Sequence, residues 1–269
     1  MHSGRRLKSA YGETRREVLK IAKALIVPIE TKSARFVLMH KDSSTFGLGV
    51  YQFDRFDPSQ ATTTDSSGKG EAHLLVARLP SGDTATIDSF QRSGFLVREV
   101  SMHPNLQISD QYLGLTVDER LQVAEVERED LPEIVRIAGA AFSISRFYRE
   151  PKVGATLAGR RYENWVKSSF LNPSHRVLKG TNESNEIIGF FIIKIDSGVA
   201  TWLLTAMSDK FRSAGLTEKL WRLMIKESYR LGSRSIKTTI SSENIKVVGL
   251  YPKLGFRFSE PSWVLHRSW

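Results

Sequence analysis

Apolar and polar residues follow strand-like patterns in the first part of the chain, and the pattern changes near residue 115. Residues 33–56 ("SARFVLMHKDSSTFGLGVYQFDRF") and 71–80 ("EAHLLVARLP") have the apolar content of strands. The polar residues between them, "DPSQATTTDSSGKGE", predict a loop. Residues 81–95 ("SGDTATIDSFQRSGF") then predict a short capped helix.

Beyond residue 120 the chain alternates strand and helix patterns. Residues 121–130 predict a strand, and residues 130–142 predict a helix because Pro132 suits a first helical turn. Residues 142–165 have no clean period and predict a surface segment. A helix is predicted over the stretch "RRYENWVKSSF" at 160–170.

The remaining residues predict a meander followed by two more helices. Three apolar runs, at 175–180, 186–195 and 199–207, are separated by turn residues and predict antiparallel strands. The elements predicted after them are a helix from Leu216 that Gly232 ends, a strand over 235–240, a helix from about Asn244 to Gly255, and a closing strand over 256–269.

Composition limits the classes of protein that these elements can form. The chain has 269 residues, is 41% hydrophobic and contains no cysteine. That length suits one large domain or two small ones, and the lack of cysteine excludes disulfides, thiolate metal sites and a cysteine nucleophile. No apolar run approaches the roughly 20 residues of a membrane span, and no secretory signal is present, so we expect a cytoplasmic protein.

The net charge of +10 is concentrated at the two ends of the sequence. Residues 1–23 have seven Lys or Arg against two Glu, residues 24–120 have nine against twelve acidic residues, and residues 121–269 have 23 against 15. A basic C-terminal part suits a small polyanion as well as a polynucleotide. Because aromatic and basic residues are not interleaved as in single-strand-binding proteins, nucleic acid is the less favoured partner.

The stretch "FRSAGLTEKL" at 211–220 is the first candidate for chemistry. A strand, a short loop of small residues and a helix together expose amide groups at the positive end of the helix dipole, which is how phosphate is bound. Ser213, Ala214 and Gly215 allow close approach to the backbone, and Arg212 adds charge. A structural loop that uses Gly215 only to turn would have the same sequence.

A second stretch, "NIKVVGLYPKLGF", gives that loop a context. With Asn244, Tyr251 and Gly255–Phe256 downstream of Arg212-x-x-Gly215, the chain resembles the GCN5-related N-acetyltransferase (GNAT) superfamily. The resemblance implies a mixed α/β GNAT fold and acetyl-CoA as cosubstrate, with its pyrophosphate on the loop. Thr217 departs from the pattern, since the superfamily prefers Gly or Ala there. The residues that the resemblance assigns to acetyl-CoA are Leu204, Thr205, Ala206, Arg212, Ser213, Ala214, Gly215, Leu216, Thr217 and Asn244.

Within this superfamily the chain resembles the dTDP-fucosamine acetyltransferases, which acetylate a nucleotide-linked amino sugar. The resemblance rests on "SRFYREP", "RRYENWVKSSF" and "SWVLHR", together with an Asp-Ser-x-x-Phe-Gly-like stretch at 42–47 and a later Gly94–Phe95. It covers most of residues 35–269. It implies a small-molecule amine acceptor. The candidate residues for contacting that acceptor are Arg146, Arg149, Tyr162 and Trp165, because guanidinium groups suit phosphate and aromatic rings suit a base or sugar. A solvated face, with Trp165 in the core, would have the same residues.

The two parts of the chain share a layout that suggests an internal repeat. "FQRSGFLVREVSMH" and "YPKLGFRFSEPSWVLH" both have an aromatic residue, three further residues, Gly-Phe and a strand, with Phe90 in the place of Tyr251. Two unrelated aromatic helix ends are the alternative. We therefore predict a basic N-terminal arm or helix at 1–34, a degenerate GNAT-like domain at 35–115, and a catalytic GNAT domain at 116–269.

The chemistry implied by the resemblance is direct attack of an amine on the thioester. Tyr251 is the candidate acid that protonates the departing sulfur, unless it is only a packed core residue, and the backbone of 204–206 would polarise the acetyl carbonyl. The general base stays open among Glu183, Glu186, His175, Asp196 and a water chain. No metal site is predicted, because the histidines lack ligand spacing.

Two alternatives to the amino-sugar reading remain. The acceptor could be another amine, such as a protein N-terminus, a polyamine or an antibiotic. The chain could instead be a non-catalytic protein that binds nucleic acid through its basic ends. A homodimer formed through edge strands is also expected.

Overall fold

A computed structural model describes residues 24–30, 32–57, 73–114, 116–212 and 215–269. Within these residues, twelve strands form one mixed sheet. The strands are β1 (Ala24–Ile29), β2 (Lys32–Leu38), β3 (Gly49–Asp57), β4 (His73–Pro80), β5 (Leu96–Gln107), β6 (Gln122–Glu125), β7 (Arg176–Thr181), β8 (Ile187–Asp196), β9 (Val199–Met207), β10 (Ser235–Thr238), β11 (Ile240–Ser241) and β12 (Arg257–Ser268).

Six α-helices among the described residues cover the two faces of the sheet. They are α1 (His40–Phe46), α2 (Thr84–Arg92), α3 (Leu131–Ala141), α4 (Gly154–Phe170), α5 (Leu216–Arg230) and α6 (Ile245–Lys253). Short 3₁₀ turns lie at Asp110–Gly114, Arg146–Arg149 and Asp209–Phe211. The predicted α/β fold and the predicted meander of β7, β8 and β9 are confirmed.

The order of strands is similar on the two sides of the central pair β12 and β5, except that β6 has no counterpart among the described strands. The order is β1-β2-β3-β4-β12-β5-β10-β9-β8-β7-β6, with β11 paired to β5. We call residues 24–114 the N-half and residues 116–269 the C-half. Strand β5 of the N-half pairs with β10 of the C-half, and β12 of the C-half pairs with β4 of the N-half. Each half therefore completes the sheet of the other.

The predicted internal repeat has matching geometry in the two halves. Gly94, after α2, and Gly255, after α6, have φ of +86° and +88°. The amide of Phe95 donates to the carbonyl of Phe90 at 3.1 Å, and that of Phe256 donates to Tyr251 at 3.0 Å. In both pairs the two rings meet edge to face, with centroids 4.9 and 4.7 Å apart. The shared geometry supports a repeat over two unrelated aromatic helix ends.

Each half also contains one parallel pair of strands that separates part-way along. Strands β9 and β10 pair from Val199–Ser235 to Trp202–Thr238, and β9 then continues alone on that side to Met207. Strands β3 and β4 pair only from Gly49–His73 to Gln52–Val76. The separation opens a gap between neighbouring strands in each half, and the gap in the C-half is the one that adjoins Tyr251.

Two predictions about local structure are wrong. Residues 40–46 form a helix rather than part of a strand, because Ser43 donates from both its amide and its Oγ to the Met39 carbonyl, at 2.9 Å each, and Gly47 ends the helix at φ +69°. Residues 142–165 are not a surface segment, since Phe147 and Val153 are buried. The arm predicted at 1–34 includes β1 and the start of β2, while residues 1–23 lie outside the described part.

Candidate active site

The gap between β9 and β10 begins at an irregularity in β9. Ile192 of β8 pairs with Leu204 while the next residue, Ile193, pairs with Trp202, so Leu203 is an extra residue in the β9 strand. Such a bulge bends a strand away from its neighbour. The predicted acetyl-binding residues Leu204, Thr205 and Ala206 follow the bulge, on the edge that β10 does not cover.

Tyr251 of α6 lies where the two strands separate. Its side chain is fully buried, and its hydroxyl makes no hydrogen bond of normal geometry among the described residues. Burial raises the pKa of Tyr251, and the nearby polar side chains of Trp221, Thr238 and Thr205 lower it to a smaller extent. Because Thr205 is on β9 and Thr238 is on β10, the hydroxyl faces the opening between these strands. A phenol kept protonated in such a place can act as an acid.

The start of α5 has the features expected of an anion-binding loop. Gly215 has φ +67° and precedes the helix, and no side chain of the described residues caps its first amides. A Cβ built on Gly215 meets no atom within 4 Å, so the backbone is open on that side. Leu216 and Thr217 begin the helix, whereas Ser213 and Ala214 lie outside the described residues. An open helix N-terminus of this kind fits a diphosphate.

Arg212 lies beside this helix start with its guanidinium half-exposed. It forms an ion pair with Asp209 at 2.9 Å, and its Nη2 is 3.5 Å from the carbonyl oxygen of Ala141 at the end of α3. An exposed pair of this type contributes little to stability and can exchange partners. Arg212 is therefore available to an anion at the start of α5.

Asn244 begins the helix that carries Tyr251. Its backbone carbonyl accepts from the amides of Val247 and Val248, at 2.9 and 2.8 Å, and its side chain makes no capping bond. The half-buried amide side chain is therefore not used in holding its own helix.

The four residues predicted to bind the acceptor lie in different environments. Arg149 is exposed and is paired with Glu243, next to the start of α6. Arg146 is largely buried and lies 3.4 Å from Glu99 of β5. Tyr162 is in the core, where it stacks on Phe142 with ring centroids 4.4 Å apart. Of these three, Arg149 is the side chain that a ligand can reach without rearrangement.

Trp165, the fourth, is half-buried beside Tyr162. The guanidinium of Arg161 lies over the Trp165 ring at 5.2 Å, and it also binds both carboxylate oxygens of Asp42, at 2.9 and 3.3 Å. Asp42 belongs to the stretch 42–47 that the sequence analysis singled out. Asp42 of the N-half is therefore bonded to Arg161 of the C-half.

Sequence reasoning missed a polar network where the two halves meet. Glu99 accepts from Ser101 Oγ at 2.8 Å, and Glu150 accepts from His266 and Ser268 of β12 at 3.0 and 2.8 Å. Burial, reinforced by Arg146 and Arg98, lowers the pKa of His266 to about 4, although Glu150 opposes the shift. Polar residues at alternate positions of β5 were the available signal, but the pattern does not say which strands lie on either side.

The carboxylates and histidine considered as a base lie at turns away from Tyr251. Asp196 and His175 are near the end of β8 and the start of β7, at the opposite end of the meander from residues 204–206. Glu186 is bonded to Asn182 and Lys210, and Glu183 lies beside Leu216. Both therefore adjoin the start of α5. The structure does not bring these four to the gap.

Comparisons with known proteins agree with this geometry. Residues 140–256 match the model of the Acetyltransferase (GNAT) family. A GCN5-related N-acetyltransferase from Sphaerobacter thermophilus superposes with a TM-score of 0.61 at 12% identity, over 97% of this chain and 86% of that one. One from Kribbella flavida gives 0.57 at 14% identity, over 96% and 95%.

A tandem GNAT protein from the clavulanic acid biosynthesis pathway gives a TM-score of 0.53 at 13% identity, over 88% of this chain and 79% of that one. No curated protein matches the chain by sequence. Among the described residues, no helix is long and apolar enough to cross a membrane. The likeness to these structures shows the GNAT fold, and the part of the chain that matches the acetyltransferase family model lies within the C-half. Enzymes of this family use acetyl-CoA.

Proposed function

We propose that the protein transfers the acetyl group of acetyl-CoA to the amino group of a nucleotide-linked sugar, by direct attack in a ternary complex. The observation that carries the proposal is the Tyr251 hydroxyl, which is buried where β9 and β10 separate and makes no hydrogen bond of normal geometry with the described residues. A buried hydroxyl without a partner is costly, so its retention there supports a role toward a ligand.

In this proposal the N-termini of α5 and α6 bind acetyl-CoA, the acetyl donor. The open amides after Gly215, with Arg212 beside them, bind the diphosphate, and Asn244 contacts the same molecule at the start of α6. The bound thioester supplies an activated acetyl group. The backbone of residues 204–206 polarises its carbonyl, and Tyr251 protonates the sulfur that leaves.

The acceptor lies on the other side of the gap, near Arg149. A nucleotide-linked sugar carries phosphates, and Arg149 is exposed next to the first turn of α6. The C-half is also the strongly basic part of the sequence, which suits a polyanionic acceptor. The N-half, on this proposal, is a degenerate GNAT-like domain that supports the acceptor side and binds no donor of its own.

Thermal unfolding with and without acetyl-CoA tests donor binding, because a ligand that binds only the folded chain raises its stability. We expect a saturable rise in Tm and, in calorimetry, one molecule of CoA per chain. No shift at millimolar CoA would contradict the proposal. A dTDP-4-amino-4,6-dideoxyhexose, spermidine and a peptide N-terminus, compared in a thiol-release assay, then test the acceptor. Turnover with either of the last two alone would select another amine.

A further inference from the structure

The exposed hydroxyl of Thr239 lies directly beyond the gap. Thr238 is the last residue of β10 that pairs with β9, and its side chain is buried toward Tyr251. Thr239 is the next residue and is exposed. Because successive side chains of an extended chain point to opposite faces, the Thr239 hydroxyl lies on the face away from Tyr251. An amine that attacks a thioester held in the gap would arrive from this face.

The imidazole of His103, on β5, contacts the Thr239 hydroxyl. Its Nδ1 is 3.2 Å from Thr239 Oγ1, and its Nε2 is 2.9 Å from Ser262 Oγ of β12. If Nε2–H donates to Ser262, then Nδ1 is left to accept the hydrogen of Thr239. The two contacts thus arrange a path from the Thr239 hydroxyl to a ring nitrogen.

The charge around His103 favours its neutral form. Thr239 and Ser262, which contact the ring from the neighbouring strands, are uncharged, and Arg78 of β4 is the charged group acting on it. Partial burial and the Arg78 guanidinium lower the pKa of His103 below its ordinary value. A neutral imidazole is able to accept a proton at neutral pH.

The nearby carboxylates are already engaged. Glu99 lies four residues before His103, on the same face of β5. It is buried and is bonded to Ser101 and Arg146. Glu243 is paired with Arg149. His103, in contrast, is half-exposed and contacts a solvent-exposed hydroxyl, so it is better placed than either carboxylate to exchange a proton.

We propose that Thr239 and His103 remove the proton from the attacking amine, an inference that rests on the proposed function. As the bond between the amine nitrogen and the acetyl carbon forms, the amine gives a proton to Thr239 Oγ1. Thr239 gives its own proton to His103 Nδ1. The bond between carbon and sulfur breaks, and Tyr251 protonates the sulfur. The imidazolium later returns its proton to solvent, and Tyr251 is reprotonated from solvent.

The test compares His103→Gln with His40→Gln, a change at an exposed histidine on α1. We expect His103→Gln to lower kcat by about 100-fold, in the range of general base catalysis, and to abolish the acidic limb of the pH profile of kcat/KM. The rise in Tm with acetyl-CoA should be unchanged. Free imidazole should partly restore the turnover of His103→Ala. His40→Gln should behave as the wild type.

A spectroscopic readout is independent of turnover. The proton NMR signal that disappears in His103→Gln should titrate below pH 6.5 in the wild type, and its midpoint should move in Thr239→Val and in Ser262→Ala. Retained activity with an unchanged acidic limb in His103→Gln would overturn the inference while leaving the proposed function standing. Loss of the acetyl-CoA response in the wild type would instead overturn the proposed function.

Discussion

The two halves share one arrangement of helix, glycine and strand, but the aromatic residue four positions before the glycine is phenylalanine in the N-half and tyrosine in the C-half. Tyr251 and Phe90 are both fully buried, and each contacts the Phe that follows the glycine. Around Phe90 the neighbours are further phenylalanines: the rings of Phe53 and Phe56 lie 5.1 and 6.1 Å away. Around Tyr251 they include Trp221, Thr238 and Thr205. In the N-half, aromatic rings surround this position, whereas in the C-half polar side chains lie beside it.

The largest expected effect comes from making the C-half resemble the N-half. Tyr251→Phe removes the candidate acid, and we expect kcat to fall by about 100-fold or more, in the range of general acid catalysis. Folding should suffer little, because the hydroxyl makes no hydrogen bond of normal geometry with the described residues. Steady-state kinetics and thermal unfolding measure the two effects. A variant with full activity would reduce Tyr251 to a packing residue.

The second comparison concerns the helix start that the C-half has between its parallel strands. Gly215→Ala places a side chain at φ +67° on the open amides, and we expect the KM for acetyl-CoA to rise by about tenfold. Gly232→Ala is the matched control, since Gly232 has φ +92°, has equally open surroundings and lies at the other end of α5. Both variants should lose about 1 kcal/mol of stability. An equal KM in the two variants would argue against a phosphate site.

The reciprocal exchange, Phe90→Tyr, should affect folding and not catalysis. A hydroxyl buried among the phenylalanine rings lacks an acceptor, which costs about 1 to 3 kcal/mol. Urea unfolding measures this change. Turnover and the number of CoA molecules bound per chain should stay as in the wild type. A second CoA bound by the variant would show that the N-half retains a donor site.

A smaller effect is expected from the polar network that joins the halves. Because the pKa of His266 is about 4 when folded and near its ordinary 6.5 when unfolded, the unfolded chain binds the extra proton between these values. Stability should therefore fall as the pH decreases from about 6.5 to about 4. In His266→Gln the free energy of unfolding should decrease less over this window. Denaturant unfolding at each pH measures this difference. Parallel curves would rule out this origin of the pH dependence.

The glycines of the candidate site could be predicted from the sequence, whereas the connection between the halves could not. Gly215 and Gly255 were identified as glycines at a loop and at a helix end, and both have positive φ, whereas Tyr251 was assigned its role through the resemblance to the GNAT superfamily. Helix α1 was missed because no described side chain caps its start and its flanks are strand-like. The resemblance to amino-sugar enzymes remains a proposal about the acceptor.

The exchange of β5 and β12 could not have been predicted from either strand. Alternating apolar residues show that a strand has a buried face, but they do not show which strands lie beside it. For the same reason, Arg146 and Tyr162 were read as ligand contacts, although one is paired with Glu99 across the halves and the other is in the core. A basic or aromatic residue in an aperiodic segment carries no mark of burial.

The position of β12 also affects how the chain folds as it is synthesised. One edge of β4 stays unpaired until residues 257–268 have emerged from the ribosome. At the usual speed of translation, that interval is on the order of ten seconds or more. A bare edge of this kind can pair with other chains, so the nascent N-half is open to aggregation during that interval.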